Sequence, residues 1–156
     1  MSGVSPHDPF MRLALAQAAL AQAAGEVPVG AIVVLEGGVV GRGYNHPIGT
    51  SDPTAHAEIL ALREAGQVLG SWRLAGATLY GTLEPCCMCA GACVNARIGR
   101  LVFGVRDPKA GAAGSVYDLV RSPWLNHRTQ VTAGVLAPEI QALMRTFFAR
   151  LRQADS

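Results

Sequence analysis

The feature of the sequence that most constrains its fold is the alternation of short apolar runs with longer helical segments. The apolar runs have the length of buried strands, and Gly or Pro residues bound them. They are Val29–Leu35, Ala77–Leu83 and Leu101–Val105. Because helical segments separate them, the later strand-helix-strand connections should be parallel and right-handed. We therefore predict an α/β fold, a three-layer αβα sandwich with helices on both faces of a mixed five-stranded sheet.

Two further strands and the helices complete the predicted pattern. Gly37-Gly38 predicts a two-residue turn into Val39–Tyr44 and hence an antiparallel hairpin, and Gln130–Val135 is a candidate last strand. The predicted helices are Asp8–Ala24, a segment that begins near Asp52 or Thr54 and ends before Gly70, Cys86–Ala96 after a first-turn Pro85, and the amphipathic Pro138–Arg152. We predict loops over 45–53 and 106–128, with a short helical turn near Val116–Val120.

Length and composition indicate one domain over residues 1–156. The chain has 156 residues, 50% hydrophobic and 15% charged, which excludes intrinsic disorder. The apolar block between Glu26 and Glu36 is much shorter than the ~20 residues that cross a membrane. Since the sequence shows no signal peptide, we expect a cytoplasmic protein without a membrane partner. Its four cysteines should then be reduced and available for metal binding or catalysis.

Two segments at predicted helix starts carry the residues best suited to chemistry. Cys86 and Cys89 stand at positions i and i+3, so they share one face of a helix and can bind the same metal ion. His56, at another helix start, can supply a third ligand. A His-Cys-Cys set leaves the fourth tetrahedral position open, which is typical of catalytic rather than structural zinc.

The spacing of Glu58 suggests a separate role. It is two residues after His56, and side chains at i and i+2 do not face each other on a helix. We therefore expect Glu58 to reach the water at the open position, whose pKa zinc lowers from 15.7 to roughly 7. A carboxylate there acts first as general base and then as general acid. Taken alone, Cys86 and Cys89 also fit a redox pair or half of a structural zinc site.

These segments resemble a known signature. His56-x-Glu58 followed by Pro85-Cys86-x-x-Cys89 is similar to the motif of the zinc-dependent nucleobase deaminases of the cytidine/deoxycytidylate deaminase superfamily. The flanking segments resemble the bacterial tRNA-specific adenosine deaminases, from about Phe10 to the final helix. They include Val27-Pro-Val-Gly, Tyr44-Asn-His-Pro-Ile, Asp52-Pro-Thr-Ala-His-Ala-Glu-Ile, Thr82-Leu-Glu-Pro-Cys, Val102-Phe-Gly and Gly111-Ala-Ala-Gly-Ser.

The resemblance implies both a fold and a reaction. The fold is cytidine deaminase-like, and the reaction is hydrolytic deamination of the wobble adenosine of a tRNA anticodon to inosine, with release of ammonia. The resemblance implies one zinc ion per chain, held by His56, Cys86 and Cys89, with Glu58 moving protons. It also implies a homodimer in which the anticodon stem-loop contacts both subunits.

Four further residues are candidates for substrate binding. The resemblance places Asn45 against the nucleotide and Asp107 against its neighbour, while the residues alone fit a turn at Asn45 and a loop or cap at Asp107. Phe148 is a candidate for stacking on a base, with packing onto the core as the alternative. Arg152 is a candidate for binding phosphate.

The distribution of charge favours an RNA partner more than the net charge of +2 does. Residues 97–156 contain nine basic and four acidic residues, and all but one of the basic residues in the chain are arginine. Arginine binds phosphate through two parallel hydrogen bonds and stacks on bases. Three alternatives remain from the sequence: a deaminase of free bases or nucleosides, a zinc-stabilised binding module, and a thiol-disulfide exchange protein.

Overall fold

The computed structural model describes residues 5–154 and, within them, contains five helices and five strands. The helices are α1 (Asp8–Ala23), α2 (Pro47–Thr50), α3 (Ala57–Leu69), α4 (Cys87–Ala96) and α5 (Ala137–Ala154). The strands are β1 (Gly30–Leu35), β2 (Gly38–Tyr44), β3 (Thr78–Leu83), β4 (Arg100–Val105) and β5 (Gln130–Thr132). No helix in this part of the chain is long and apolar enough to cross a membrane.

The strands form one mixed sheet in the order β2-β1-β3-β4-β5. Strand β1 is antiparallel to both of its neighbours, β2 and β3, whereas β3, β4 and β5 run parallel. The mixed five-stranded sheet, the antiparallel hairpin and the parallel later connections are therefore confirmed. The last residues of β3 and β4, Leu83 and Val105, are paired, so the segments that follow them leave the sheet at the same edge.

Each face of the sheet packs against two helices, which confirms the three layers. Alternate residues of β1 point to opposite faces, as the two-residue period of a strand requires. Ala31 and Val33 join a core with α3 and α4, and Ile32 and Val34 join a core with α1 and α5. Both cores contain completely buried residues, such as Phe103 on the first face.

Helix α3 lies unusually close to the sheet because β2 carries glycines on that face. A Cβ atom at Gly41 would lie 2.2 Å from the carbonyl oxygen of Ala61, and one at Gly43 would lie 2.3 Å from that of Ala57. Ordinary contacts of a Cβ atom begin at 3.4 Å, so only glycine permits this approach. The glycines of β2 therefore set the distance between α3 and the sheet, and with it the position of the first turn of α3.

Four predicted details are wrong, the first being the loop predicted over 45–53, which contains the short helix α2 (Pro47–Thr50). The hairpin turn consists of Glu36 and Gly37, with φ of 51° and 78°, rather than Gly37-Gly38. Gly38 is instead paired with Leu35 as the first residue of β2, and this register requires the non-glycine residue Glu36 to adopt positive φ. Residues 116–120 form no helix, and Asp118 within them makes an isolated β-bridge to Ala113. Strand β5 ends at Thr132, before the positive φ of 88° at Gly134.

Candidate metal centre and substrate groove

Helix α3 begins later than the sequence predicts, and its start positions His56. Asp52 does not cap α3. Its Oδ1 instead accepts hydrogen bonds at 2.8 Å from the N–H and the hydroxyl of Thr54 in a local turn before the helix. The N–H of Ala57 donates instead to Asn45 Oδ1 at 2.9 Å. His56 precedes the helix in an extended conformation, with φ of −79° and ψ of 151°. The predicted start is therefore wrong, because the acceptor comes from the end of β2.

Helix α4 has the same arrangement at its start. Cys86 precedes the helix in an extended conformation, with φ of −73° and ψ of 179°, so the helix begins one residue later than predicted. Pro85 lies outside the helix and is buried. Because the preceding strand β3 is in the middle of the sheet, its end delivers Cys86 to the start of α3. The two predicted motifs therefore meet.

His56, Cys86 and Cys89 form a cluster in which one potential ligand atom of each residue lies within 4.8 Å of the others. The Nδ1 atom of His56 is 3.6 Å from Cys86 Sγ and 3.5 Å from Cys89 Sγ. At the bond lengths of zinc to nitrogen and sulfur, a tetrahedral angle separates two such ligands by about 3.6 Å. The donor set and its spacing therefore fit zinc. Cys87 is exposed and Cys93 is buried, and neither belongs to the cluster.

The pKa values of the two cysteine thiols in the cluster are shifted in opposite directions. Hydrogen bonds from Cys89 and His56 lower the pKa of the Cys86 thiol from 9.0 to about 3. The hydrogen bond to Cys86, together with burial, raises the pKa of Cys89. The hydrogen bond with Cys86 also raises the pKa of His56. Cys86 is therefore the cysteine that loses its proton more readily, and thiolate is the form of cysteine that metals bind. Neither cysteine is in a disulfide.

Glu58, in the first turn of α3, is only 4% exposed. Burial raises the pKa of its carboxyl group, and the negative charge of Cys86 raises it further, which places the carboxyl beside the cluster. Its Oε1 atom makes no hydrogen bond to any residue between 5 and 154. A buried polar atom without a partner is costly, and such an atom next to three potential metal ligands fits a site that binds a reactant.

Asn45 has a position that fits both roles suggested by the sequence, a structural role in a turn and contact with the nucleotide. Its Oδ1 accepts the first N–H of α3, so the side chain has a structural role. An asparagine amide also carries two N–H donors, which remain on the same side chain. Asn45 can therefore hold the start of α3 and donate a hydrogen bond to a substrate at the same time.

Asp107, Phe148 and Arg152 come together in a groove of about 1100 Å³ between α5 and the ends of β3 and β4. Asp107 Oδ1 accepts hydrogen bonds from the N–H groups of Lys109 and Ala110 at 3.0 and 3.2 Å, so it also stabilises its own loop. Neither the cluster residues nor Asn45 line this groove. The basic residues that line it are Arg106, Lys109, Arg145 and Arg152.

Glu84 is a residue of this region that the sequence motifs did not indicate. This residue is 2% exposed and accepts four hydrogen bonds from the segment after β4. Burial alone would raise the pKa of Glu84, but hydrogen bonds from Ser115, Asp107 and Ala113 outweigh it and lower the pKa. The available signal was its position between an apolar strand and Pro85, where an uncompensated charge would be costly.

The fold and the site define a class of protein. A mixed five-stranded sheet between helical layers, with His-x-Glu and Cys-x-x-Cys at two helix starts that meet, is the arrangement of the cytidine deaminase-like fold. This is the class expected from the sequence. His56 and Cys86 are 30 residues apart in the chain, and the fold brings the two motifs together.

Comparisons with known proteins agree with this class. The family model of the MafB19-like deaminases matches residues 5–152. The tRNA-specific adenosine deaminase of Haemophilus influenzae is 49% identical over 92% of this chain and 84% of its own length. That of Bacillus subtilis is 44% identical over 92% of this chain and 89% of its own length.

Solved structures give the same result. A tRNA deaminase studied for A-to-I editing at the wobble position of transfer RNA is 45% identical, with a TM-score of 0.84, over 86% of this chain and 98% of its own. A guanine deaminase of Nitrosomonas europaea is 27% identical, with a TM-score of 0.76, over 96% of this chain and 87% of its own. The chain therefore belongs to the deaminase family that includes the tRNA-specific adenosine deaminases.

Proposed function

We propose that this protein deaminates the wobble adenosine of a tRNA anticodon to inosine and releases ammonia. The observation that carries the proposal is the buried Glu58 carboxyl, with its unpartnered Oε1, beside the cluster of His56, Cys86 and Cys89. Relatives that are 44% and 49% identical are named tRNA-specific adenosine deaminases, which favours this substrate over others.

The cluster would hold one zinc ion per chain. His56 would supply its Nδ1 atom, and Cys86 and Cys89 their sulfurs, because these atoms already have the spacing of zinc ligands. When bound, zinc supplies a Lewis acid that makes water reactive near neutral pH. Residues 5–154 would supply three ligands, one fewer than a tetrahedral zinc ion takes.

Glu58 would move the protons of the reaction. Hydrolytic deamination adds water to a ring carbon, so one proton must reach the ring nitrogen and another must reach the departing amine. A single carboxyl in hydrogen-bond reach performs both transfers, as a base and then as an acid. Its burial excludes bulk water, and its free Oε1 leaves an acceptor for the incoming proton.

Substrate binding would use two regions. Asn45 lies at the start of α3, where it can hold the nucleotide that reacts, and Asp107 lies in the groove beside α5, where it can contact the neighbouring nucleotide. Phe148 is 37% exposed and available for stacking on a base, and Arg152 offers a guanidinium for phosphate. The positive charge of the groove suits a nucleic-acid backbone.

We also propose that the active protein is a homodimer of one-domain chains, 1–156, of which residues 1–4 and 155–156 lie outside the described structure. The apolar lining of a shallow depression between α3 and α4 supports a second copy there. It includes Ile59, Leu62 and Trp72, and Trp72 is 65% exposed. A tRNA substrate places the protein in the cytoplasm.

The test is inosine formation in an anticodon stem-loop with adenosine at the wobble position. The zinc-loaded protein should convert that adenosine alone, and sequencing should detect it as guanosine. Glu58→Ala should retain about one zinc per chain and form no inosine, because the carboxyl acts on protons and not on the metal. Inosine formation by Glu58→Ala would contradict the mechanism.

A deaminase of free bases is the second candidate, because solved guanine deaminases share the fold, including one of Bacillus subtilis that is 32% identical. Free guanine, cytosine and adenosine are therefore incubated in parallel, with ammonia release as the assay. Turnover of a free base without inosine in the RNA would replace the tRNA proposal with this one.

A further inference from the structure

The carboxyl group of Glu84 is buried in the segment that follows β4. Its Oε1 accepts hydrogen bonds from the N–H of Asp107 at 2.9 Å and from the hydroxyl of Ser115. Its Oε2 accepts from the N–H groups of Ala113 and Ser115, both at 3.0 Å. All four donors belong to one segment, residues 107–115. None belongs to β3, the strand that Glu84 follows.

The segment 107–115 is folded around this carboxyl group. A Cβ atom at Gly111 would lie 2.4 Å from Cδ and 2.5 Å from Oε1 of Glu84, so only glycine fits there. The next residue, Ala112, is completely buried and donates its N–H to the carbonyl oxygen of Pro85 at 2.8 Å. Contacts with Glu84 therefore account for Gly111, Ala113 and Ser115 in the Gly-Ala-Ala-Gly-Ser sequence, whereas Gly114 has a positive φ of 129°.

No basic side chain within residues 5–154 forms an ion pair with Glu84. Burying a charged carboxyl group without a cation is costly, and hydrogen-bond donors must compensate for it. Backbone N–H groups provide this compensation only if the segment keeps one conformation. A single side chain with two acceptor oxygens can therefore fix four donors at once, which no apolar residue of the same size could do.

Glu84 also connects the two parts of the proposed substrate site. It precedes Pro85 and Cys86, and Cys86 is in the metal cluster. The segment that it holds begins at Asp107, which lines the groove together with Arg106 and Lys109. One carboxyl group thus sets the position of a groove wall relative to the cluster.

We infer that Glu84 is a positioning residue that holds the segment 107–115 in place for RNA binding, an inference that rests on the proposed tRNA deaminase function. Asp107 and its neighbours then meet the nucleotide next to the reactive one without paying the entropy of ordering the loop on binding. Glu84 does not touch the reacting atoms, so its loss should weaken substrate binding more than the chemical step.

The test is Glu84→Gln in the zinc-loaded protein. The glutamine oxygen can still accept from Ala113 and Ser115, and its NH2 group can donate to the Ser115 hydroxyl, but the Asp107 N–H loses its acceptor. We expect KM for the stem-loop to rise about tenfold, equivalent to about 1.4 kcal/mol, with kcat within about twofold. Ser115→Ala, which removes one hydrogen bond and leaves the carboxyl group, should give a smaller change in the same direction.

Two further measurements make the test specific. Amide hydrogen exchange of Asp107 should accelerate in Glu84→Gln, and zinc should remain at about one per chain. Tyr80→Phe, which loses a partly buried hydrogen bond of 2.8 Å with His7 on the opposite face of the sheet, is the control and should change neither KM nor exchange at Asp107. Unchanged exchange at Asp107, or a fall in kcat at constant KM, would overturn the inference.

The exchange measurement also separates this inference from the proposed function. If the wild-type protein forms no inosine in the stem-loop, the proposed function fails, and so does the role in RNA binding. Faster exchange at Asp107 would then still support the structural half, in which Glu84 holds the segment. Inosine formation by the wild type together with unchanged KM in Glu84→Gln would overturn the inference alone.

Discussion

Replacing Gly43 with alanine should move the start of α3 and so disturb the active site. A Cβ atom at this position would lie 2.3 Å from the carbonyl oxygen of Ala57, 2.8 Å from the N–H nitrogen of Ala61 and 2.9 Å from Cβ of Leu60. Two of these atoms belong to the backbone, so no side-chain rotation relieves the overlap. The Ala57 oxygen belongs to the peptide unit that joins Ala57 to Glu58, and Ala57 itself follows His56.

The size of the effect follows from these distances. Restoring an ordinary contact of 3.4 Å requires a separation of β2 and α3 of about 1 Å at Ala57. Overpacking of this kind costs about 1–3 kcal/mol of unfolding free energy. A displacement of about 1 Å in a group that takes part in catalysis can lower the rate by about 100-fold. We therefore expect a moderate loss of stability and a much larger loss of kcat/KM in Gly43→Ala.

The assay compares thermal unfolding with inosine formation for Gly43→Ala and Gly38→Ala. Gly38 is the first residue of the same strand, and a Cβ atom there would lie 3.6 Å from its nearest neighbour, the carbonyl oxygen of Leu35. The control should therefore behave like the wild type in both measurements. If Gly43→Ala unfolds at the same temperature and forms inosine at the same rate as Gly38→Ala, the idea that these glycines set the position of α3 is refuted.

Three further predictions concern the groove, the metal and pH. Arg152→Gln should weaken stem-loop binding and reduce its salt dependence, whereas Arg150→Gln should have little effect, because Arg150 lines a different depression; equal effects in a binding titration would contradict this. His56→Ala should lose zinc in metal analysis, and retained zinc would argue against its role as a ligand. Burial and the charge of Arg100 lower the pKa of His7, so the unfolded state gains a proton first and stability should decrease as pH falls below 6.5. His7→Gln should flatten this slope in pH-dependent denaturation, and an unchanged slope would exclude His7 as its source.

Several errors in the predicted elements share one cause. The predictions used residues close in the sequence, whereas contacts with residues further along the chain decided where the elements begin. Asp52 is a good helix cap by sequence, yet it caps a local turn at Thr54, and the helix starts where Asn45 supplies an acceptor. The hairpin turn shifted by one residue because pairing of Gly38 with Leu35 stabilises a different register. In each case the sequence showed that an element exists, and a contact between elements decided its first residue.

The sequence by itself determined the order of elements, the layered α/β architecture and the identity of the chemical groups. These depend on short-range properties: the length of apolar runs, the i and i+3 spacing of Cys86 and Cys89, and the offset between His56 and Glu58. Spacing along a helix fixes which side chains share a face, so this information is present in any short stretch of sequence.

Only the tertiary structure decided how these groups meet. His56 Nδ1 and Cys86 Sγ come within 3.6 Å because β2 and β3, on either side of β1, end at the same edge of the sheet, and because glycines in β2 allow α3 to approach closely. Glu84 illustrates the same point, since its four partners lie 23 to 31 residues further along the chain. The sequence shows that a carboxyl group is present. The fold decides which later segment lies beside it and donates hydrogen bonds to it. That arrangement is set by the packing of the whole sheet.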